Sequence, residues 1–161
     1  MILALSRSPH DAQNAVVQEL DDGVLVWELV DVRPEDALLA EEVDVRPGWL
    51  MRHDRIDFPP GGVAYRHTHP GPGIRYLLFG ELTIDSGGET HTYRAGDPWF
   101  ESGPEPVLAT ASTTEETAFV RVLLLPGEWA GKRTIKYVDP SDEEKPKLQW
   151  PTVYGEYPVA F

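Results

Sequence analysis

The stretch Gly61-Gly62-Val63-Ala64-Tyr65-Arg66-His67-Thr68-His69-Pro70-Gly71 decides how this chain is read. Its two histidines stand one residue apart, and on a strand the side chains at i and i+2 project to the same face. A strand here sends both imidazoles to one side. There they can offer two adjacent positions to a divalent metal ion, or two hydrogen-bonding groups to an organic ligand. The same alternation adds Tyr65 to that face. Gly61-Gly62 and Pro70-Gly71 end the strand on either side.

Working outward, 14 Gly and 15 Pro break the chain into short apolar or alternating runs. Residues 24–30, 49–58, 63–69, 74–79, 82–85, 89–94, 98–101, 107–111 and 117–125 read as strands. Gly80, Gly87-Gly88, Gly96-Asp97 and Gly103-Pro104 fall between them, where hairpins or sharp turns belong. Residues 34–42 read as a helical turn, because Pro34 suits a first helical position and Glu35 and Asp36 suit the N-terminal dipole. Strands that follow one another with little helix between them predict an all-β, antiparallel barrel or sandwich.

Composition limits the functions available. The formal charge of −13 argues against binding nucleic-acid phosphates or anionic lipid, both of which need a basic face. With no Cys there is neither a disulfide, a thiolate metal site nor a Cys nucleophile. Met1-Ile2-Leu3-Ala4-Leu5 is too short for a signal sequence, and no run reaches the roughly 18 apolar residues of a membrane span. A cytoplasmic protein is the expectation. Residues 132–147 are polar and charged, and Trp150, Tyr154, Tyr157 and Phe161 restore aromatic content. Four aromatics in so short a tail predict that 127–161 packs on the barrel or on a second subunit. The expected organisation is one domain over 1–161 with its core at about 45–126, and open sheet edges point to a homodimer.

Gly61, His67, His69 and Gly80, followed by Gly96-Asp97, together resemble the two motifs of the cupin family. The resemblance implies a small antiparallel β-barrel or jelly roll, with short helical turns and here an extended C-terminal segment. It also implies a metal or ligand site in the barrel mouth, with His67 and His69 as metal ligands. The family pattern is incomplete: the usual Glu falls on Gly73, and the usual later His falls on Val107 or Pro106.

Around that expected site, alternation from position 73 puts Arg75 and Leu77 on the cavity face. Arg75 is a bidentate donor suited to an anionic substrate, or it pairs with an acid on a neighbouring strand. Trp99 adds an aromatic wall for substrate. Glu101 beside it is a third metal ligand or a catalytic acid–base, with Tyr65 as a second catalytic candidate. His53 and His91 are expected at the surface and His10 near a mobile terminus. Two functions follow. In the first, a cupin-type enzyme holds Fe, Mn, Ni or Zn and acts as a dioxygenase, isomerase, decarboxylase or lyase on a small organic acid. In the second, a metal-free binding module holds a small anionic ligand through Arg75 and the two histidines. A structural or dimer-forming protein with a vestigial pocket is a third reading.

Overall fold

The computed structural model describes residues 1–161. The chain opens with β1 (Ile2–Ser6), β2 (Asn14–Leu20), β3 (Gly23–Val30) and β4 (Leu39–Glu42). It continues through β5 (Trp49–Phe58), β6 (Val63–Thr68), β7 (Gly73–Phe79), β8 (Glu81–Ser86) and β9 (Glu89–Arg94). The last strands are β10 (Pro98–Glu101), β11 (Val107–Ala111), β12 (Thr117–Pro126), β13 (Lys136–Tyr137) and β14 (Trp150–Pro158). Two short 3-10 turns, Gly127–Trp129 and Pro140–Glu144, are the only helical elements. No helix is long and apolar enough to cross a membrane.

All strand pairs are antiparallel and form three sheets. A central sheet runs β10-β7-β12-β5-β14, a second runs β13-β6-β11-β8-β9, and an N-terminal sheet runs β2-β3-β1-β4. The first two face each other as a jelly roll, and the third covers the outer face of the central sheet. This explains the continuous apolar run of β12: Val120, Val122 and Leu124 meet the N-terminal sheet, while Phe119 faces the interior. The outer interface packs Leu3, Leu5, Leu25 and Trp27 against Ile74 and Met51. Trp27 also donates its indole N–H to the Ile74 carbonyl at 3.0 Å, so its polar atom is satisfied in the core.

Two local expectations are corrected. Residues 34–42 form no helix: Leu39 and Ala40 pair with Leu5 and Ala4, because β1 needs a partner on its open side. His10 is not on a mobile end. Its ring bridges Glu28 and Asp36, with both nitrogens 2.7 Å from a carboxylate oxygen, and its backbone N–H donates to Glu28. The C-terminal residues return to the central sheet, where β14 pairs with β5 from Trp150↔Asp57 to Pro158↔Leu50.

Candidate functional site

His67 lies on β6 and His69 just beyond its end, both buried, with ring centres 4.8 Å apart and planes edge to face. The Nδ1 of His67 is 2.7 Å from the Tyr65 carbonyl. A carbonyl only accepts, so Nδ1 carries the proton and the Nε2 lone pair is left available. The Nδ1 of His69 is 2.9 Å from the Thr134 hydroxyl, which ties the ring to the C-terminal segment. Burial pushes the His67 imidazole down to about 4. Burial also holds His69 well below its usual value, and Arg121 and Arg75 push the same way. Both rings are neutral at pH 7.

Tyr65 does not share their face. Between β6 and β11 the register runs His67↔Val107 and then Ala64↔Ala109, so β6 carries one extra residue there. This bulge puts Ala64 and His67 on the cavity side and turns Tyr65 away, a reorientation typical of such irregularities. Tyr65 instead packs edge-on to Tyr137, with the Lys145 ammonium 4.7 Å over its ring.

Across the central sheet, Arg75 on β7 and Arg121 on β12 stand directly opposite each other. Each guanidinium has its own carboxylate. Arg121 makes two bonds to Asp54, at 2.8 and 3.0 Å. The Nε of Arg75 is 2.8 Å from Glu101, whose same oxygen accepts from the Trp99 indole at 2.9 Å. Arg75 also donates Nη1 to the Gly73 carbonyl at 2.9 Å, while its buried Nη2 has no partner. Burial, with Arg121 pushing the same way and Glu101 and Asp54 opposing, lowers the Arg75 guanidinium to about 10. One pleat along, Arg52 donates to the Trp129 carbonyl at 2.7 Å and sits 3.6 Å from Glu156, with its buried Nε unpartnered.

His67, His69, Arg52, Asp54, Glu101 and Arg121 border a cavity of about 610 Å³ between the two barrel sheets. Residues 131–135 of the C-terminal segment help to close it. Five cationic side chains line it (Arg52, Arg121, Lys132, Arg133 and Lys147) against three carboxylates, Asp54, Glu101 and Glu156. In a chain of 14 basic and 27 acidic residues, that local reversal of charge is a property of the site. Trp99 and Glu101 line the cavity; Arg75 and Leu77 lie behind its wall, both fully buried. His53 is buried on the opposite face of β5, between Trp27 and Tyr154 and 2.9 Å from Gln18, and not at the surface. Arg121, Asp54, Arg52 and Thr134 were not anticipated. Arg121 had a signal: a single charge inside the apolar run of β12 must be either paired or functional.

The donor set does not fit a divalent metal. No third His, Asp or Glu converges on the imidazole pair to make a ligand group. Val107 stands opposite His67, and Glu101 is held by Arg75 and Trp99. Gly73 cannot be replaced in place by a ligating residue. A Cβ there would lie 2.5 Å from the Val122 carbonyl oxygen and 3.2 Å from the Arg75 guanidinium. Two imidazoles alone hold such an ion weakly, and two nearby guanidiniums repel it.

Comparison with known proteins agrees with this geometry in one respect. The cupin domain family matches residues 54–106, from the middle of β5 to the turn before β11. Among solved structures, an RmlC-like cupin from Shewanella frigidimarina is 21% identical, with a TM-score of 0.43 over 53% of this chain and 83% of that one. A predicted oxalate decarboxylase from Thermotoga maritima is 28% identical, with a TM-score of 0.40 over 45% and 64% of the two chains. DMSP lyase DddQ from Ruegeria pomeroyi is 20% identical, with a TM-score of 0.47 over 56% and 44%. The chain covers less than two thirds of the latter two proteins. No curated protein matches it.

Proposed function

Starting from a chain that belongs to the cupin superfamily, we propose that its cavity binds a small organic anion without a resident metal ion. The observation that carries this reading is the arginine pair: Arg75 and Arg121 meet in register on adjacent strands, beside two neutral imidazoles. At a metal centre the positive charge comes from the ion. Here it is supplied by fixed guanidiniums, of which Arg121 lines the cavity and keeps Nη1 free of its Asp54 partner as a charge-assisted donor for a carboxylate oxygen.

The roles follow from the available atoms. Arg121 uses Nε and Nη2 on Asp54, which leaves Nη1 to donate to the ligand. The unpartnered Nε of Arg52 is a second buried donor beside the cavity. Arg75 acts from behind, as a buried charge that also orients Glu101. The Nε2 of His67 accepts, so it favours a hydroxyl or N–H on the ligand. Trp99 forms part of the wall, stacked on Tyr93 at 4.6 Å. Glu101 and Asp54 pair with the arginines and leave the site discriminating: an anion that cannot reach Arg121 meets two carboxylates instead. A metal-dependent reaction at His67 and His69 has less support, because the third ligand is missing and its position is filled by cationic charge.

The test is thermal unfolding of chelator-treated protein with formate, acetate, succinate and benzoate, alongside element analysis of the untreated protein. A carboxylate-dependent rise in Tm in the presence of EDTA supports the reading. A stoichiometric transition metal that disappears in His67→Ala overturns it.

A further inference from the structure

We infer that the anion this cavity takes is a monocarboxylate with an apolar body, held head to the arginines and tail into the barrel. The inference deepens the anion-binding reading above and rests on it. Along β5 the cavity-facing side chains are Arg52, Asp54, Ile56 and Phe58, in that order. Over a span of about 20 Å at strand rise, the wall changes from charged to fully apolar. The neighbouring strands repeat the gradient at the same levels. On β12, Arg121 pairs with Asp54 and Phe119 with Ile56. On the facing sheet, His67 sits at the level of Val107, followed by Ala64 beside Ala109 and Ile84. Leu82 closes the series.

All the charged lining groups on the barrel strands therefore lie at one end, and none lies among Ile56, Phe58, Phe119, Ile84 and Leu82. A second carboxylate on the ligand would have to leave water for an end where the nearby polar lining is the neutral amide of Gln149, next to Trp150 and so beside Phe58, and Lys147, whose ammonium already donates to the Asp142 and Glu143 carbonyls. A methylene placed there is removed from water and gains affinity. Ala64 and Ala109 keep the end open by being small; both are buried and both line the cavity.

Isothermal titration of the full chain in EDTA with acetate, butanoate, hexanoate, adipate and 1-hexanol tests this. Affinity should rise about fourfold for each added methylene from acetate to hexanoate. Adipate should bind more weakly than hexanoate, and hexanol should fall well below it. In Ala109→Leu, which fills the apolar end, the rise with chain length should flatten. Carboxylate binding that is independent of chain length, or adipate as tight as hexanoate, overturns the inference while leaving the anion site standing. If no carboxylate binds, or hexanol equals hexanoate, the anion reading itself fails. The wild-type series decides the matter even if the variant does not fold.

Discussion

Acidifying the protein should cost stability at His67 in a way that a single substitution can isolate. The imidazole sits near 4 in the folded chain because burial disfavours its charged form, whereas in the unfolded chain it titrates at about 6.5. Its folded value is the lower one, so the unfolded state binds the proton first. Stability is therefore undiminished above about pH 6.5 and is lost as pH falls towards 4. The whole gap corresponds to about 3 kcal/mol, of which about 2 kcal/mol is already lost at pH 5. His69 adds to the loss in the same direction.

Many carboxylates and His10 also titrate, so the wild-type curve alone is not diagnostic. His67→Asn keeps a donor near the Tyr65 carbonyl and removes the titrating group. Urea unfolding of both proteins, followed by tryptophan fluorescence at pH 7.5 and pH 5.0 in EDTA, gives two stability differences in which the shared titrations cancel. Wild type minus variant should fall by about 2 kcal/mol on going to pH 5. A difference that is the same at both values would refute the placement of a neutral, desolvated imidazole in the barrel.

Other perturbations test the surrounding groups. Arg75→Met leaves Glu101 with the Trp99 indole alone, and should cost about 3–5 kcal/mol in urea unfolding; Arg75→Met with Glu101→Gln should recover part of it. Gly73→Glu should destabilise by about 2–4 kcal/mol, because its Cβ meets the Val122 carbonyl, and dialysis against Mn(II) should show no gain in metal binding. His10→Gln should act with the opposite pH sense to His67. The bonds to Glu28 and Asp36 raise the His10 value, so its contribution is present below about pH 6.5 and is lost as pH climbs through the raised value. The Tm deficit of that variant should be larger at pH 6 than at pH 9. Deleting residues 147–161 removes β14 and should lower Tm and solubility by uncovering the β5 edge; an unchanged Tm would show that this strand contributes nothing.

The strands that build the barrel were legible because each carries its own signal. β5 is an uninterrupted ten-residue run between Gly48 and Pro59, β12 is apolar apart from Thr117 and Arg121 because both its faces are covered, and the glycines between runs mark the turns. The N-terminal sheet was only partly legible. β1 and β4 are short, and their pairing is a long-range event that local propensity does not encode. In the site, His67 and His69 are both buried with ring centres 4.8 Å apart, although His69 lies just past the end of the strand whose alternation suggested a shared face. Alternation failed at Tyr65, because the bulge in β6 shifts the face without any Gly or Pro to announce it. The aromatics of 127–161 predict that this segment packs on the barrel or on a second subunit, but not that it lines the cavity. Thr134 and Lys147 lie in a polar stretch that resembles solvated chain, and only the fold brings them to the cavity.

The absence of a carboxylate at position 73 and the presence of Arg75 are coupled by space. The backbone of β7 passes so close to β12 at Gly73 that no Cβ fits, and the Arg75 guanidinium lies over that same glycine with Nη1 on its carbonyl. A carboxylate is supplied from the neighbouring strand instead: Glu101 pairs across from Gly73 in register. From there it reaches Arg75, not the imidazoles, to form an ion-pair distance of 2.8 Å. The carboxylate that could complete a cation site therefore forms a net-neutral pair with Arg75, and Arg121 beside it adds a second cation with its own acid. Restoring Glu at 73 without removing Arg75 would place a carboxylate against that guanidinium and extend the ion pair. Conversion to a metal centre requires both changes together with movement of the β12 backbone.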